Sequence, residues 1–254
     1  MQVNKKMIAV TFDLWQTLLL EDPELGRARA NLRISGAQEE LSAQGYQFSK
    51  DRIHEAYRRC YRICRYVRST GLDVDFSEQV RIFIDEIQDN LSGKLTPKST
   101  RAIYSAYADS FFVHPPPIHP DAVSVLKSVH QYGYRIGLIS NTGMTPGTVF
   151  RTYMNQLGIL KYFDVLTFSD EVKLSKPDTR IFQHTLLALG VEPNQTIHVG
   201  DHLKNDVKGA QDSGLRTIWI EGFDSAAVDK DRPPDAIAPS LREVALTIEN
   251  VAVQ

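Results

Sequence analysis

The sequence predicts an α/β fold: a parallel sheet flanked by helices, carrying a second, smaller all-helical domain. After residue 113, short apolar runs alternate with helical patterns, as in sheets whose parallel strands are joined by helices. Strand patterns are missing from the roughly ninety residues after the first apolar run. A chain of 254 residues, 42% of them hydrophobic, is long enough for such a core with a large insertion.

The first strand is predicted at residues 7–12, a β-branched apolar run that ends at Asp13. Helical periodicity then extends over residues 21–112. Within this stretch, one helix face is formed by apolar residues spaced three and four apart: Ile53, Tyr57, Cys60, Cys64 and Val67. Gly71, Gly93 and Pro97 separate its helical segments.

The remaining elements follow three prolines at 115–117. Residues 122–129 form a helical stripe that stops before Gly133, as is typical of a helix C-terminus. Further strands are predicted at 134–140, 165–168, 196–200, 215–220 and 236–238, and further helices at 179–189, 203–212 and 241–248. We therefore predict two domains: residues 1–19 and 113–254 form the sheet domain, and residues 20–112 form the helical domain.

Charge and composition exclude several classes of protein. The 29 Lys and Arg residues nearly balance 31 Asp and Glu residues, which removes the bulk electrostatic argument for nucleic acid or an anionic membrane as a partner. The two cysteines, Cys60 and Cys64, provide neither a disulfide scaffold nor a zinc site. No bilayer-spanning run or signal-peptide core is visible, so we expect a soluble, cytoplasmic protein that acts on a small molecule. The pattern predicts no particular oligomeric state.

Polar residues follow the predicted strands at the edge of the sheet where ligands bind in open parallel sheets. These residues are Asp13, Ser140, Asn141, Asp201 and Asp206, and Lys176 precedes a helix on the same side. Converging carboxylates repel one another unless a cation lies among them, and hard oxygen ligands favour Mg²⁺. A lysine and a hydroxyl beside that cation would hold a phosphoryl group. A carboxylate needs no base to act as a nucleophile, a role that suits Asp13.

The order Asp13, Ser140, Lys176, Gly200-Asp201 and Asp206 resembles the four motifs of the haloacid dehalogenase superfamily. The resemblance covers residues 7–20 and 115–220. It implies a Rossmann-like three-layer core, a nucleophilic aspartate and a mobile cap domain inserted after the first motif, where this chain carries its helical segment.

The resemblance also implies roles for individual residues. Asp13 would be the nucleophile, with Lys176 as its catalytic partner. The transferring group would be bound by Thr17, Ser140, Asn141 and Lys176. The metal would be held by Asp13, Asp201 and the backbone carbonyl of Trp15, with Asp206 supporting the site. The predicted function is that of a Mg²⁺-dependent phosphatase of a small phosphorylated metabolite, acting through an aspartyl-phosphate.

Trp15 departs from the phosphatase pattern. Phosphatases of the superfamily usually carry an acid/base aspartate there, and an indole cannot carry a proton near neutral pH. Two alternatives therefore stay open. The first is a 2-haloacid dehalogenase, which forms an aspartyl ester without metal, although the chain retains Asp201 and shows no recognisable halide-binding arginine early in the cap. The second is a binding or regulatory protein that has lost turnover.

Two further features receive plain structural interpretations. His202 begins a predicted helix, and we interpret it as a hydrogen-bonded residue there and not as a substitute proton carrier. Arg58, Arg62 and Arg65 lie opposite the apolar face of their helix, which is typical of a solvated surface.

Overall fold

The computed structural model describes residues 7–252 and contains one six-stranded parallel sheet. Its strands are β1 (Ala9–Phe12), β2 (Arg135–Ser140), β3 (Val165–Phe168), β4 (Thr196–Gly200), β5 (Arg216–Ile220) and β6 (Ala236–Ala238). The order across the sheet is β3-β2-β1-β4-β5-β6. The predicted strands are confirmed to within two residues at each end. Residues 1–6 and 253–254, which the predicted sheet domain also includes, lie outside the described residues.

The strand order puts β1 at the point where the chain reverses its direction across the sheet. From β1 the chain proceeds to β2 and β3 on one side, then returns to β4 on the other. Ala9 lies beside Arg135 of β2 and beside Thr196 of β4. In open parallel sheets, the crevice at such a point is where ligands bind. The segments that follow β1, β2 and β4 therefore meet at the centre of this edge.

Ten α-helices accompany these strands in the described part of the chain. They are α1 (Pro23–Ala43), α2 (Lys50–Ser69), α3 (Phe76–Ile87), α4 (Pro97–Val113), α5 (Ala122–Gln131), α6 (Gly147–Gln156), α7 (Ser169–Val172), α8 (Thr179–Leu189), α9 (Gly209–Asp212) and α10 (Val244–Ala252). Helices α5, α6 and α10 pack on one face of the sheet through residues such as Leu126, Phe150 and Ile248. Helices α8 and α9 cover the other face through Phe182, Leu186 and Ala210. The sheet and its two helical layers confirm the α/β, Rossmann-like fold class.

Helices α1 to α4 share a hydrophobic core of their own. It includes Ile34 of α1, Tyr57 of α2, Phe83 of α3 and Tyr107 of α4. Each of these helices is preceded by a capping residue whose side chain accepts a hydrogen bond from a backbone N–H of the first turn. The capping residues are Asp22, Ser49, Asp75 and Thr96. Such caps satisfy N–H groups that a helix leaves unpaired at its start.

The predicted helix face in α2 is buried, apart from Val67, which is half-buried. Helix α6 was not predicted. The segment predicted as one helix over residues 203–212 instead begins with a π-helical turn, Leu203–Lys208, and continues as α9. In that turn the N–H groups of both Asp206 and Val207 point to the carbonyl oxygen of His202, at 2.8 and 3.3 Å. The wider turn buries two consecutive side chains, one of which is Asp206. Between residues 7 and 252, no helix combines the length and apolar character needed to cross a bilayer.

Candidate active site

Three carboxylates meet beyond the carboxyl ends of β1 and β4. Asp13 follows β1, and its N–H donates to the carbonyl oxygen of Val199 at 2.9 Å. Asp201 follows β4, and Asp206 lies in the π-helical turn. One oxygen from each carboxylate lies within 4.8 Å of the other two, and all three residues are buried. Converging buried carboxylates of this kind match the oxygen ligands that Mg²⁺ prefers.

Lys176 lies against two of these carboxylates. Its Nζ atom is 2.5 Å from Oδ1 of Asp13 and 2.5 Å from Oδ1 of Asp206. Burial alone would lower the pKa of Lys176, but the two carboxylates raise it to about 12. The ammonium group is therefore charged at neutral pH and is directed at the proposed nucleophile.

The three carboxyl groups differ in how readily they ionise. Burial raises the pKa of Asp13 to about 6, against the opposing effect of Lys176. Burial, together with the charges of Asp13 and Asp206, raises the pKa of Asp201 to about 8. Burial would also raise the pKa of Asp206, but Lys176 and a hydrogen bond with His198 hold it below its usual range. Burial and mutual repulsion thus raise the pKa of two of the three carboxyl groups, and a nearby cation favours their ionised forms.

Gly200 allows Asp206 to come this close. A Cβ atom built at Gly200 would lie 2.4 Å from Cγ of Asp206, so a larger residue would displace the carboxylate. The second carboxylate oxygen, Oδ2, accepts a hydrogen bond from the N–H of His202 at 3.0 Å. The glycine of the Gly200-Asp201 pair is therefore required by packing against a site residue.

His198 is a site residue that the sequence analysis missed. Its Nε2 atom is 3.3 Å from Oδ1 of Asp206, and its Nδ1 atom is 2.8 Å from Oγ1 of Thr11. The ring is buried in the middle of β4, where burial lowers the pKa of His198. The sequence did offer one signal for this residue, because a histidine in the middle of an otherwise apolar strand is unusual.

Asn141 fixes the segment that carries Lys176. Its Nδ2 atom donates to the carbonyl oxygen of Lys176 at 3.0 Å, and its Oδ1 atom accepts from the N–H of Lys176 at 2.8 Å. Asn141 also lines the cavity next to Asp13.

Thr17 and Ser140 are fully buried and do not line that cavity. Within residues 7–252, neither Oγ1 of Thr17 nor Oγ of Ser140 has a hydrogen-bond partner. Buried hydroxyls without partners are costly, and a ligand that supplies the missing partner removes the cost. Their predicted role in substrate binding stays a prediction.

The cavity beside the cluster has a volume of about 240 Å³. Its lining includes the following residues: Asp13, Trp15, Gln16, Asn141, Lys176, Asp201, His202, Asn205 and Asp206. The structure thus brings together every predicted site residue except Thr17 and Ser140. The indole of Trp15 packs edge-on against Phe150, with ring centroids 5.3 Å apart. His202 is half-exposed, and its Nδ1 atom accepts from the N–H of Lys204 at 3.2 Å and lies 3.2 Å from Asp224.

A larger cavity of about 620 Å³ lies between α1, α2 and the loop that follows β2. It shares Trp15, Gln16 and Asn141 with the first cavity, so the two adjoin. Arg29 and Arg33 of α1 line it and are buried.

The sequence analysis singled out other arginines. Arg58 and Arg62 are exposed and pair with Glu55 at 3.0 and 3.2 Å, and Arg65 is also exposed. The signal for Arg33 was its position in the apolar stripe of α1, next to Ile34 and four residues before Ala37.

Comparison with known proteins identifies the family. The model of the haloacid dehalogenase-like hydrolases matches residues 7–214, which is most of the chain. This chain therefore belongs to the haloacid dehalogenase-like hydrolase family.

Two relatives show the range of the family. The chain is 33% identical over 131 residues to a phosphoserine phosphatase from Thermus thermophilus, a match that covers 51% of each protein. It is 28% identical over 215 residues to a ribulose-1,5-bisphosphate 5-phosphatase from Halopiger xanaduensis, covering 84% of each protein. The chain spans about half the length of some curated relatives, the phosphoserine phosphatase among them.

Two solved structures resemble nearly the whole chain. One is a phosphatase of the family from Thermococcus onnurineus, with 26% identity, a TM-score of 0.66, and coverage of 95% of this chain and 98% of that one. The other is a 2-haloacid dehalogenase from Pseudomonas syringae pv. Tomato, with 21% identity, a TM-score of 0.69, and coverage of 96% and 99%. The second likeness concerns the fold alone.

Proposed function

We propose that this chain is a Mg²⁺-dependent phosphatase that acts on a small phosphorylated metabolite through an aspartyl-phosphate on Asp13. The observation that carries the proposal is the contact of one ammonium group, Lys176 Nζ, with a cluster of three buried carboxylates. The relatives named as phosphatases support the same reaction class. Phosphoryl transfer is catalysed mainly by positioning and by charge neutralisation, and this cluster offers groups for both.

The donor set fits a divalent cation. Asp13 and Asp201 would hold the ion together with the backbone carbonyl of Trp15, and Asp206 would support them. A bound Mg²⁺ would neutralise phosphoryl oxygens and the charge that develops on them during transfer. Lys176 would neutralise part of the negative charge of the carboxylates and of a bound phosphoryl group.

In the proposed reaction, one carboxylate oxygen of Asp13 attacks phosphorus. The bond from phosphorus to the ester oxygen breaks, and the leaving oxygen takes a proton. Water then attacks the aspartyl-phosphate, which releases inorganic phosphate and restores the carboxylate. The hydroxyls of Thr17 and Ser140, which have no hydrogen-bond partner among the described residues, are proposed to bind oxygens of the transferring group. Because both are buried away from the cavity wall, this role requires that the bound group reach them through a local rearrangement.

Trp15 determines how the leaving oxygen is protonated. Positioned acids typically contribute about 10²- to 10⁴-fold to a rate, and the indole supplies no such acid. We therefore propose that the leaving group is protonated by water in the cavity. The rate should then depend strongly on the leaving group.

We also propose that residues 20–112 act as a cap domain over the core formed by residues 1–19 and 113–254. Helices α1 to α4 have a separate hydrophobic core, and α1 and α2 line the larger cavity beside the catalytic one. A cytoplasmic location stays a prediction from the sequence.

The test is phosphate release from a panel of phosphomonoesters, measured with Mg²⁺ and with EDTA. Asp13→Asn and the matched control Asp89→Asn, an exposed position, are prepared alongside. We expect Mg²⁺-dependent release by wild type and by Asp89→Asn, and none by Asp13→Asn. Equal release with EDTA, or release by Asp13→Asn, would contradict the proposal.

A 2-haloacid dehalogenase is the second candidate, favoured by Trp15 in place of the acid/base aspartate. In that reaction Asp13 attacks carbon, halide leaves, and water hydrolyses the aspartyl ester. Halide release from 2-chloropropionate that persists in EDTA, without phosphate release from the panel, would establish it. Tight ligand binding without either reaction would favour a binding protein.

A further inference from the structure

We propose that the larger cavity binds a second anionic group of the substrate, a carboxylate or a second phosphate, through the guanidinium group of Arg33. This inference rests on the proposed function, because it assigns the substrate's remaining part to the cavity beside the reacting phosphoryl group. The two cavities share Trp15, Gln16 and Asn141, so one small molecule extending past these residues would occupy both.

Arg33 is a buried charge without a carboxylate partner. It is 4% exposed, and no carboxylate between residues 7 and 252 lies within ion-pair distance of it. Its neighbour Arg29, also buried, pairs with Glu21. Burying a cation without a counterion is expensive, so an unpaired one that lines a cavity points to an anionic ligand.

Neutral groups hold the guanidinium in place and leave its charge intact. Its Nε atom donates to Ser110 Oγ, its Nη1 atom to Tyr57 Oη and its Nη2 atom to Thr145 Oγ1, each at 3.0 Å. The group also lies over the ring of Tyr107, 4.6 Å from its centroid. These partners come from α2, α4 and the loop after β2, so the orientation is fixed from several sides.

Two donors remain for a ligand. A guanidinium has five N–H groups, and the contacts above use the one on Nε and one on each terminal nitrogen. One N–H on each terminal nitrogen is thus left without a partner among the described residues. A guanidinium is a fixed planar group that can donate two N–H groups to one carboxylate or phosphate. It therefore binds such an anion with more defined geometry than a lysine ammonium would.

The test compares substrates that differ in one anionic group. The pairs are phosphoserine with phosphoethanolamine, and 3-phosphoglycerate with glycerol 3-phosphate. Hydrogen bonds to charged groups contribute enough for about a 10- to 100-fold preference in kcat/KM for the carboxylate-bearing member. We expect Arg33→Gln to abolish this ratio, Arg33→Lys to retain part of it, and the exposed control Arg101→Gln to preserve it.

A purely structural role of Arg33 would lower kcat/KM for both members equally and leave their ratio unchanged, and this would overturn the inference. Equal wild-type rates for both members would overturn it while sustaining the proposed phosphatase. If wild type hydrolyses neither pair, calorimetry measures the affinity of wild-type protein for the same four compounds and tests the anion site independently of activity. Tighter binding of the carboxylate-bearing members would support the anion site even though the proposed function had failed, and equal binding would overturn it. Because the calorimetry uses wild type, it holds even if Arg33→Gln does not fold.

Discussion

Asn141 and Lys176 exchange two hydrogen bonds, one in each direction, between the amide side chain of the first and the backbone of the second. The pair ties the segment after β2 to the segment that carries the lysine, two parts of the chain that are 35 residues apart in sequence. The reach of Lys176 to Asp13 and Asp206 therefore depends on a residue that touches neither carboxylate. Asn141 is in this sense a positioning residue as well as a cavity residue.

Asn141→Ala should lower kcat by about 10- to 100-fold, because two hydrogen bonds that orient the backbone of Lys176 are lost. Steady-state kinetics on the best phosphomonoester of the panel measures the effect. Mg²⁺ affinity, measured by calorimetry, should change by less than about threefold, since the carboxylates keep their places. A kcat within twofold of wild type would show that Lys176 is held by other contacts.

Mg²⁺ affinity should fall as the pH falls. In the metal-free protein the pKa of Asp201 is raised to about 8 and that of Asp13 to about 6, and a carboxyl group must lose its proton to bind a cation. Below about pH 8, binding should therefore release about one proton, and below about pH 6 nearly two. Calorimetry at neutral pH in buffers of different ionisation enthalpy counts the protons. Binding at neutral pH without proton release would contradict the assignment of Asp201 as a ligand.

Without an acid at position 15, the rate should depend on the leaving group. Wild type should hydrolyse p-nitrophenyl phosphate faster than an alkyl phosphate by about 10²-fold or more, since nitrophenolate needs no proton to leave. Trp15→Asp should narrow this ratio by supplying a proton to the alkoxide, at some cost in stability from the lost contact with Phe150. The matched control is Trp15→Asn, because asparagine has nearly the same size as aspartate but carries no acidic group. An equal ratio in all three proteins would show that another group donates the proton.

Ser175 links the segment before Lys176 to the end of α2. Its Oγ lies 2.9 Å from the carbonyl oxygens of Arg68 and Leu72, and its N–H donates to the carbonyl oxygen of Gly71 at 3.0 Å. Ser175→Ala should lower the free energy of unfolding by about 1 kcal/mol, because it removes the one hydroxyl donor shared by two part-buried carbonyl oxygens. Urea denaturation measures this. Ser105→Ala, at an exposed position in α4, should change the stability by less than about 0.5 kcal/mol. Equal effects of the two substitutions would show that the Ser175 contacts are weak.

Much of the fold could be predicted because its signals are local. Asp13, Asp201 and Lys176 stand next to apolar runs or helix starts, and parallel strands bring such positions to one edge of the sheet. The burial of Arg33 had only a weak local signal, its position beside Ile34 in α1. An arginine in a helix is normally exposed, and only the packing of α1 against α2 and α4 buries this one. His198 was missed for the same reason, since its contact with Asp206 exists only once the π-helical turn has formed.

The central claim, that Asp13 attacks phosphorus, is tested most directly by trapping the intermediate. Protein is mixed with Mg²⁺ and a hydrolysed phosphomonoester, quenched in acid within milliseconds, and digested for mass spectrometry. We expect the mass of one phosphoryl group on the peptide that contains Asp13, removable by hydroxylamine and absent from Asp13→Asn. Phosphate release at the full rate with no labelled peptide, and with Asp13→Asn still active, would contradict the account.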